Sequence, residues 1–145
     1  MTRPLLEAVV VPVATPEDAR TTARALGPYL PDVGTVVVVH VIEKAGGAPD
    51  KAGVEQREEV GDESIAAFED AVGAGGPAVE GRLAFDTDVV DGILGAAADA
   101  DATAIAFSPR EGGRLVRYLS GDVSLRLVTE SEVPVVSLPR GDVDA

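Results

Sequence analysis

"LEAVVVPVATPEDARTTARALGPYL", residues 6–30, decides the fold. Its first part, 6–14, is a near-continuous apolar run with Val9, Val10 and Val11 in succession. Such a run fits a strand buried on both faces. The next residues start a helix. Thr15 is the N-cap, Pro16 takes the first helical position, and Glu17 and Asp18 load the first turn with the charge that a helix N-terminus favours. Ala19, Thr22, Ala23, Leu26 and Leu30 recur at helical spacing, and Gly27-Pro28 ends or kinks the helix.

The alternation continues outward from this unit. "TVVVVHVI" (35–42) is a second buried strand, followed by a loop over 43–53 and an acidic helix over 54–74 with Ile65, Phe68 and Val72 on one face. "PAVEGRLAF" (77–85) is a more alternating strand, as an edge strand is. A helix over 86–102, capped by Thr87, places Val90, Ile93, Leu94 and Ala97 on one stripe. "TAIAFS" (103–108) is the fourth strand, a short helix begins near Gly121, and "VPVVSLP" (133–139) is the last strand. Strict alternation with valine-rich strands predicts an α/β fold, an open parallel sheet with helices on both faces and right-handed crossovers. The chain reads as one domain, 1–145, without repeats or linkers and with a frayed acidic tail over 140–145.

Composition narrows the function. Aromatics are 3%, so valine, leucine, isoleucine and alanine must fill the core. The chain has no cysteine, which excludes disulfides, thiolate nucleophiles and Cys-ligated metals. No apolar run reaches the roughly 20 residues of a membrane span, and the expectation is a cytoplasmic protein with no membrane insertion. Asp and Glu number 25 and the net charge is -13, while Lys44 and Lys51 are the only lysines. This acidic, lysine-poor balance resembles that of proteins from salt-loving organisms. It argues against nucleic-acid binding, which needs cations on phosphates. At low salt, charge of one sign repels itself and weakens the fold.

One stretch runs against the acidic trend. Residues 107–128 hold Arg110, Arg114, Arg117 and Arg126 against Glu111 and Asp122, with three glycines ahead of a helix start. In open parallel sheets, ligands bind outside the C-terminal strand ends, where strand order reverses. With the first strand central, that point falls between the first and fourth strands, which places this stretch beside the turn after Val13.

These residues resemble the universal stress protein family over nearly the whole chain. "VVVPVATPEDAR" looks like its first strand and turn. "VVVVHVIE" looks like its second strand. "TAIAFSPREGGRLVRYLSGDVSLRLVTESEVPVVSLP" looks like its closing strand, glycine loop, helix and strand. The resemblance implies a Rossmann-like nucleotide-binding α/β fold, a five-stranded parallel sheet in the order 3-2-1-4-5. It also implies a homodimer paired through the last strand, with Val133 and Leu138 at its ends. The regulatory protein partner stays unidentified.

The family's nucleotide-binding branch carries G-x2-G-x9-G-[ST] after the fourth strand, where glycines let backbone approach phosphates at a helix N-terminus. Aligned on Gly121, this chain has Ser108, Glu111, Gly121 and Asp122 at the four positions, and Ala14 where that branch has Asp. Carried over residue by residue, a nucleotide site draws on Pro12, Val13, Ala14, Val41, Ser108, Arg110, Gly112, Gly113, Gly121, Asp122, Val123 and Ser124. ATP or ADP with Mg2+ is its candidate ligand. Asp122 and Glu111 oppose phosphate, which points to an anion site satisfied from within. The arginines and Gly112 and Gly113 argue the other way. Two functions follow: a non-enzymatic stress or regulatory module with weak or no ATP binding, or an ATP/ADP sensor.

Catalysis lacks a constellation. His40, the only histidine, reads as a satisfied strand residue. Asp86, Asp88, Asp91, Asp99 and Asp101 lack calcium-loop spacing and read as solvated helix ends. Arg114 and Arg117 face either Glu111 or an anion. No serine sits in a G-x-S-x-G elbow, no P-loop is complete, and no G-x-G-x-x-G follows the first strand. No metal ligand set is assigned.

Overall fold

The structure, a computed structural model, describes residues 3–43, 51–108 and 121–139. In chain order it contains β1 (Ala8–Pro12), α1 (Pro16–Leu26), a 3-10 helix (Gly27–Asp32), β2 (Thr35–Glu43), α2 (Lys51–Val72), β3 (Ala78–Asp86), α3 (Val89–Asp99), β4 (Ala104–Phe107), α4 (Gly121–Glu130) and β5 (Val135–Ser137). The five strands form one sheet in the order β3-β2-β1-β4-β5. Every pairing is parallel.

The valine runs explain the centre of this sheet. Side chains alternate faces along a strand, so each run feeds two cores. Val9, Val11, Val13, Val36 and Val38 pack with Ala19, Ala23, Leu26 and Phe68 of α1 and α2. Val10, Val37, Val39, Val41 and Ile105 pack on the other face with Val90, Ile93, Ala96 and Leu127 of α3 and α4. Fully burying a Val or Leu side chain stabilises by about 1.5–3 kcal/mol, so the two-faced strands outweigh the modest propensities of the helices. β3 differs: none of its residues is buried, as an edge strand predicts.

Local chemistry sets the helix ends. Thr15 Oγ1 accepts the Asp18 N–H at 3.0 Å, with Pro16 following it, as the sequence predicts. α1 ends at Leu26, and the Gly27-Pro28 segment continues as the 3-10 turn. α2 stops at Val72 because Gly73 adopts φ +83, a left-handed conformation that glycine takes without a Cβ penalty. The α3 cap is Asp88, not Thr87. β3 runs in register to Asp86, opposite Glu43. Asp86 Oδ1 then accepts the N–H of Thr87 at 2.7 Å and of Asp88 at 3.3 Å. That turn carries the chain one residue further, and Asp88 Oδ1 accepts the Asp91 N–H at 3.0 Å. The last strand is shorter than 133–139: three residues pair with β4, and the Leu138 N–H donates to Phe107 O at 2.8 Å. The frayed tail expected over 140–145 lies outside the described residues.

Candidate functional site

The strand order reverses between β1 and β4, so the switch point lies at Pro12 and Phe107. The sequence-predicted residues Pro12, Val13, Ala14, Val41 and Ser108 are all buried there or on the neighbouring end of β2. Val123 and Ser124 are half-buried in the first turn of α4, which starts at Gly121 and Asp122. Arg110, Glu111, Gly112, Gly113, Arg114, Arg117 and Ser120 lie outside the described residues, as does the Asp122 side chain.

The β1–α1 turn is held from three directions. The Val13 N–H donates to Val39 O at 2.9 Å. His40 Nδ1 lies 3.0 Å from Val13 O, and since a carbonyl only accepts, that nitrogen carries the proton. Burial pushes the His40 pKa below its ordinary value, and the Val13 carbonyl and Asp62 pull it part of the way back. Third, the Ala14 N–H donates to Asp18 Oδ2 at 2.8 Å, with Asp18 fully buried.

Sequence reasoning missed this role of Asp18, reading it only as a first-turn negative charge. The signal was present. Thr15 and Asp18 have capping-box spacing, in which the third helical residue reaches back to a backbone N–H near the cap. Here it reaches Ala14, one residue before the cap.

Val41 is covered by α3. A Cβ on Gly92 stands 2.7 Å from Val41 Cγ1, so glycine is what lets the helix settle on the end of β2. Ser108 presents the opposite situation from Ala14. Its Oγ is fully buried and has no hydrogen-bond partner among the described residues. Arg126, grouped by sequence with the loop arginines, faces other groups. It donates to Asp88 Oδ2 at 2.8 Å and to Glu130 Oε2 at 3.0 Å, tying α4 to the N-terminus of α3. The Arg126 guanidinium holds the Asp88 carboxyl below the usual carboxylate range.

A cavity of about 540 Å³ lies at the other end of the sheet, lined by Leu94, Ala97, Asp101, Glu130 and Val133 among others. Among the described residues no cluster of three or more His, Asp or Glu side chains could hold a metal ion. No helix among them is long and apolar enough to cross a membrane.

The sequence matches the universal stress protein family over residues 6–139. No curated relative matches it. Solved structures are similar in fold. A universal stress protein from Archaeoglobus fulgidus in complex with dAMP aligns with TM-score 0.63 at 22% identity, covering 92% of this chain and 98% of that one. A universal stress protein in complex with cAMP aligns with TM-score 0.65 at 16% identity, covering 91% and 96%. A family protein from Burkholderia pseudomallei aligns with TM-score 0.59 at 20% identity, covering 95% and 99%.

Proposed function

The chain belongs to the universal stress protein family, and from that membership we propose that it is a non-enzymatic regulatory module of the stress response. In this reading it works in the cytoplasm as a homodimer and binds ATP weakly or not at all. The observation that supports it most is the contact between Asp18 and Ala14. A donor at the switch point is already taken by a buried carboxylate. A hydrogen bond stabilises by about 0.5–1.5 kcal/mol net, and a nucleotide phosphate brought near would have to compete with this carboxyl for the Ala14 N–H. Glu111 and Asp122, where the family's nucleotide motif has Gly and Ser/Thr, extend the same tendency in sequence. The absence of a P-loop, an elbow serine or a second histidine in the sequence favours a non-enzymatic role.

The second reading, an ATP or ADP sensor, is favoured by Ser108. A buried hydroxyl without a partner is rare in native proteins; that of Ser108, just after β4, has none among the described residues. The A. fulgidus protein bound to dAMP and the cAMP-bound protein share the fold. Ser108, the α4 N-terminus and Val41 are residues that would hold a nucleotide here.

Calorimetric titration of ATP and ADP with and without Mg2+ in molar KCl separates the two. No heat at millimolar nucleotide in the natural chain, with binding gained in Asp122→Ser/Glu111→Gly, is the expected result. Micromolar binding by the natural chain that is lost in Arg110→Ala overturns it in favour of the sensor. The homodimer is proposed through the edge of β5 that pairs with no strand among the described residues, and light scattering checks it. The acidic surface supports a salt-adapted protein, for which the urea midpoint rises with KCl.

A further inference from the structure

We propose that β3 is a self-docking edge, and that its partner is a second copy of this chain paired antiparallel about a two-fold axis at Gly81. This goes beyond the reading above, which uses β5 and does not depend on β3.

The outer side of β3 pairs with no strand among the described residues, while its inner side follows β2 one-to-one from Ala78 to Asp86 without a bulge. It is nine residues long where β5 has three. A long regular edge is a template for another strand unless bulges, prolines or repelling charges blunt it. Here the charges are self-complementary. Centred on Gly81, residues 77–85 read Pro-Ala-Val-Glu-Gly-Arg-Leu-Ala-Phe. Antiparallel pairing with an identical strand sets Glu80 opposite Arg82, Val79 opposite Leu83, Ala78 opposite Ala84 and Pro77 opposite Phe85. Each pair occurs twice, once in each direction.

The faces agree with this register. A Cβ on Gly81 would meet Ile65 of α2, and Leu83 packs near Gly61 of α2, so Val79, Leu83 and Phe85 share the α2 face. Glu80 and Arg82 lie on the α3 face, 3.2 Å apart in an exposed ion pair. In antiparallel pairing, directly opposed residues project to the same face. An apolar strip therefore meets its own copy on one side of the joined sheet, and a two-by-two cluster of alternating charges forms on the other. Phe85, a large apolar side chain left 44% exposed at the end of this strand, gains a partner in Pro77. A chance peptide ligand gives no reason for the two halves of the strand to mirror each other with inverted charge at the centre. A second copy does.

The test uses charge exchange. Glu80→Arg sets Arg opposite Arg across the axis, and Arg82→Glu sets Glu opposite Glu. Both residues are on the surface, and far-UV circular dichroism checks that each variant keeps the native fold. By sedimentation at the lowest KCl that preserves the fold, each variant alone is expected to self-associate through β3 at least about tenfold more weakly than the natural chain. An equimolar mixture restores association, because each strand then meets its complement. A mixture that dissociates as readily as either variant alone overturns the proposal.

Cross-linking makes the result specific to this edge, since the natural chain has no cysteine. Chains carrying Glu80→Cys mixed with chains carrying Arg82→Cys are expected to form a disulfide between positions 80 and 82. Either variant alone is expected not to link, because two copies of position 80 are diagonal neighbours about 7–8 Å apart, beyond disulfide reach. No cross-link in the mixture, or equal cross-linking in single and mixed samples, refutes the pairing. Neither outcome bears on β5 or on nucleotide binding.

Discussion

Two glycines in α3 are expected to answer the same substitution with opposite signs. Glycine inside a helix costs about 0.5–1 kcal/mol relative to alanine. At Gly95 a new Cβ meets nothing within 4 Å, so Gly95→Ala keeps the whole gain. At Gly92 the Cβ stands 2.7 Å from Val41 Cγ1, 2.9 Å from Cγ2 and 3.4 Å from the Asp86 Cβ. Carbon atoms prefer about 3.5–4.0 Å, so both branches of Val41 are too close, and no single rotation clears both. Either Val41 leaves its rotamer or α3 lifts, at about 1–3 kcal/mol. After the propensity gain, Gly92→Ala is expected to destabilise by up to about 2.5 kcal/mol, a melting shift of up to about 10 °C. Urea unfolding in molar KCl, followed by circular dichroism, measures both variants. If both stabilise equally, helix propensity alone governs α3, and the seating of α3 on Val41 is wrong.

Three further outcomes are expected. His40 has a lowered pKa in the fold, so it stays neutral there while the unfolded chain still titrates near 6.5. Its contribution is complete above 6.5 and is lost as pH falls through that value toward the folded pKa, with a slope of at most about 1.4 kcal/mol per pH unit. His40→Gln flattens that part of a stability–pH profile, and an unchanged slope refutes the assignment. For Asp88 the lowered pKa gives stability that is present above the ordinary value of 3.8 and lost as pH falls through the folded one. Asp88→Ala also loses the cap, about 1 kcal/mol, whereas Asp88→Asn keeps a capping oxygen. Equal losses in the two variants refute the cap. If the acidic surface limits stability, raising KCl from dilute to molar increases the urea midpoint, and a flat or falling dependence refutes salt adaptation.

The strands were legible because a parallel sheet buried on both faces demands unbroken valine runs, and residues 8–12 and 35–43 supply them. The helices were legible from their periodic apolar stripes. The α3 cap was not, because Asp86, Thr87 and Asp88 are all capping types in a row. The β3 register, which consumes Asp86, decides among them, and register is a tertiary fact. The partners of Arg126 were hidden in part for a similar reason. Its i,i+4 partner Glu130 was visible in sequence, but Asp88 is 38 residues away and meets it only when α3 and α4 lie side by side. At the candidate site, Val13, Ala14, Val41 and Ser108 lie at or just past strand ends, where the apolar runs of the sequence stop. The closing contact of Asp18 escaped because acidic first-turn residues usually point to water, and only the burial of this turn sends one inward.

The partners of β1 differ greatly in their distance along the chain. On one side β2 meets it across a span such as the 27 residues between Val13 and His40; on the other, Thr103 at the start of β4 meets Ala8 across 95. Closing the longer loop costs about 1 kcal/mol more in chain entropy, and distant pairings form slowly. Assembly is therefore expected to run from β1 through β3 first, with β4 docking afterward on a bare edge of β1. The switch point between β1 and β4 is then a seam that closes last. Pulse-labelled hydrogen exchange reads this as earlier protection of Val36 and Val38 than of Ile105 and Ala106.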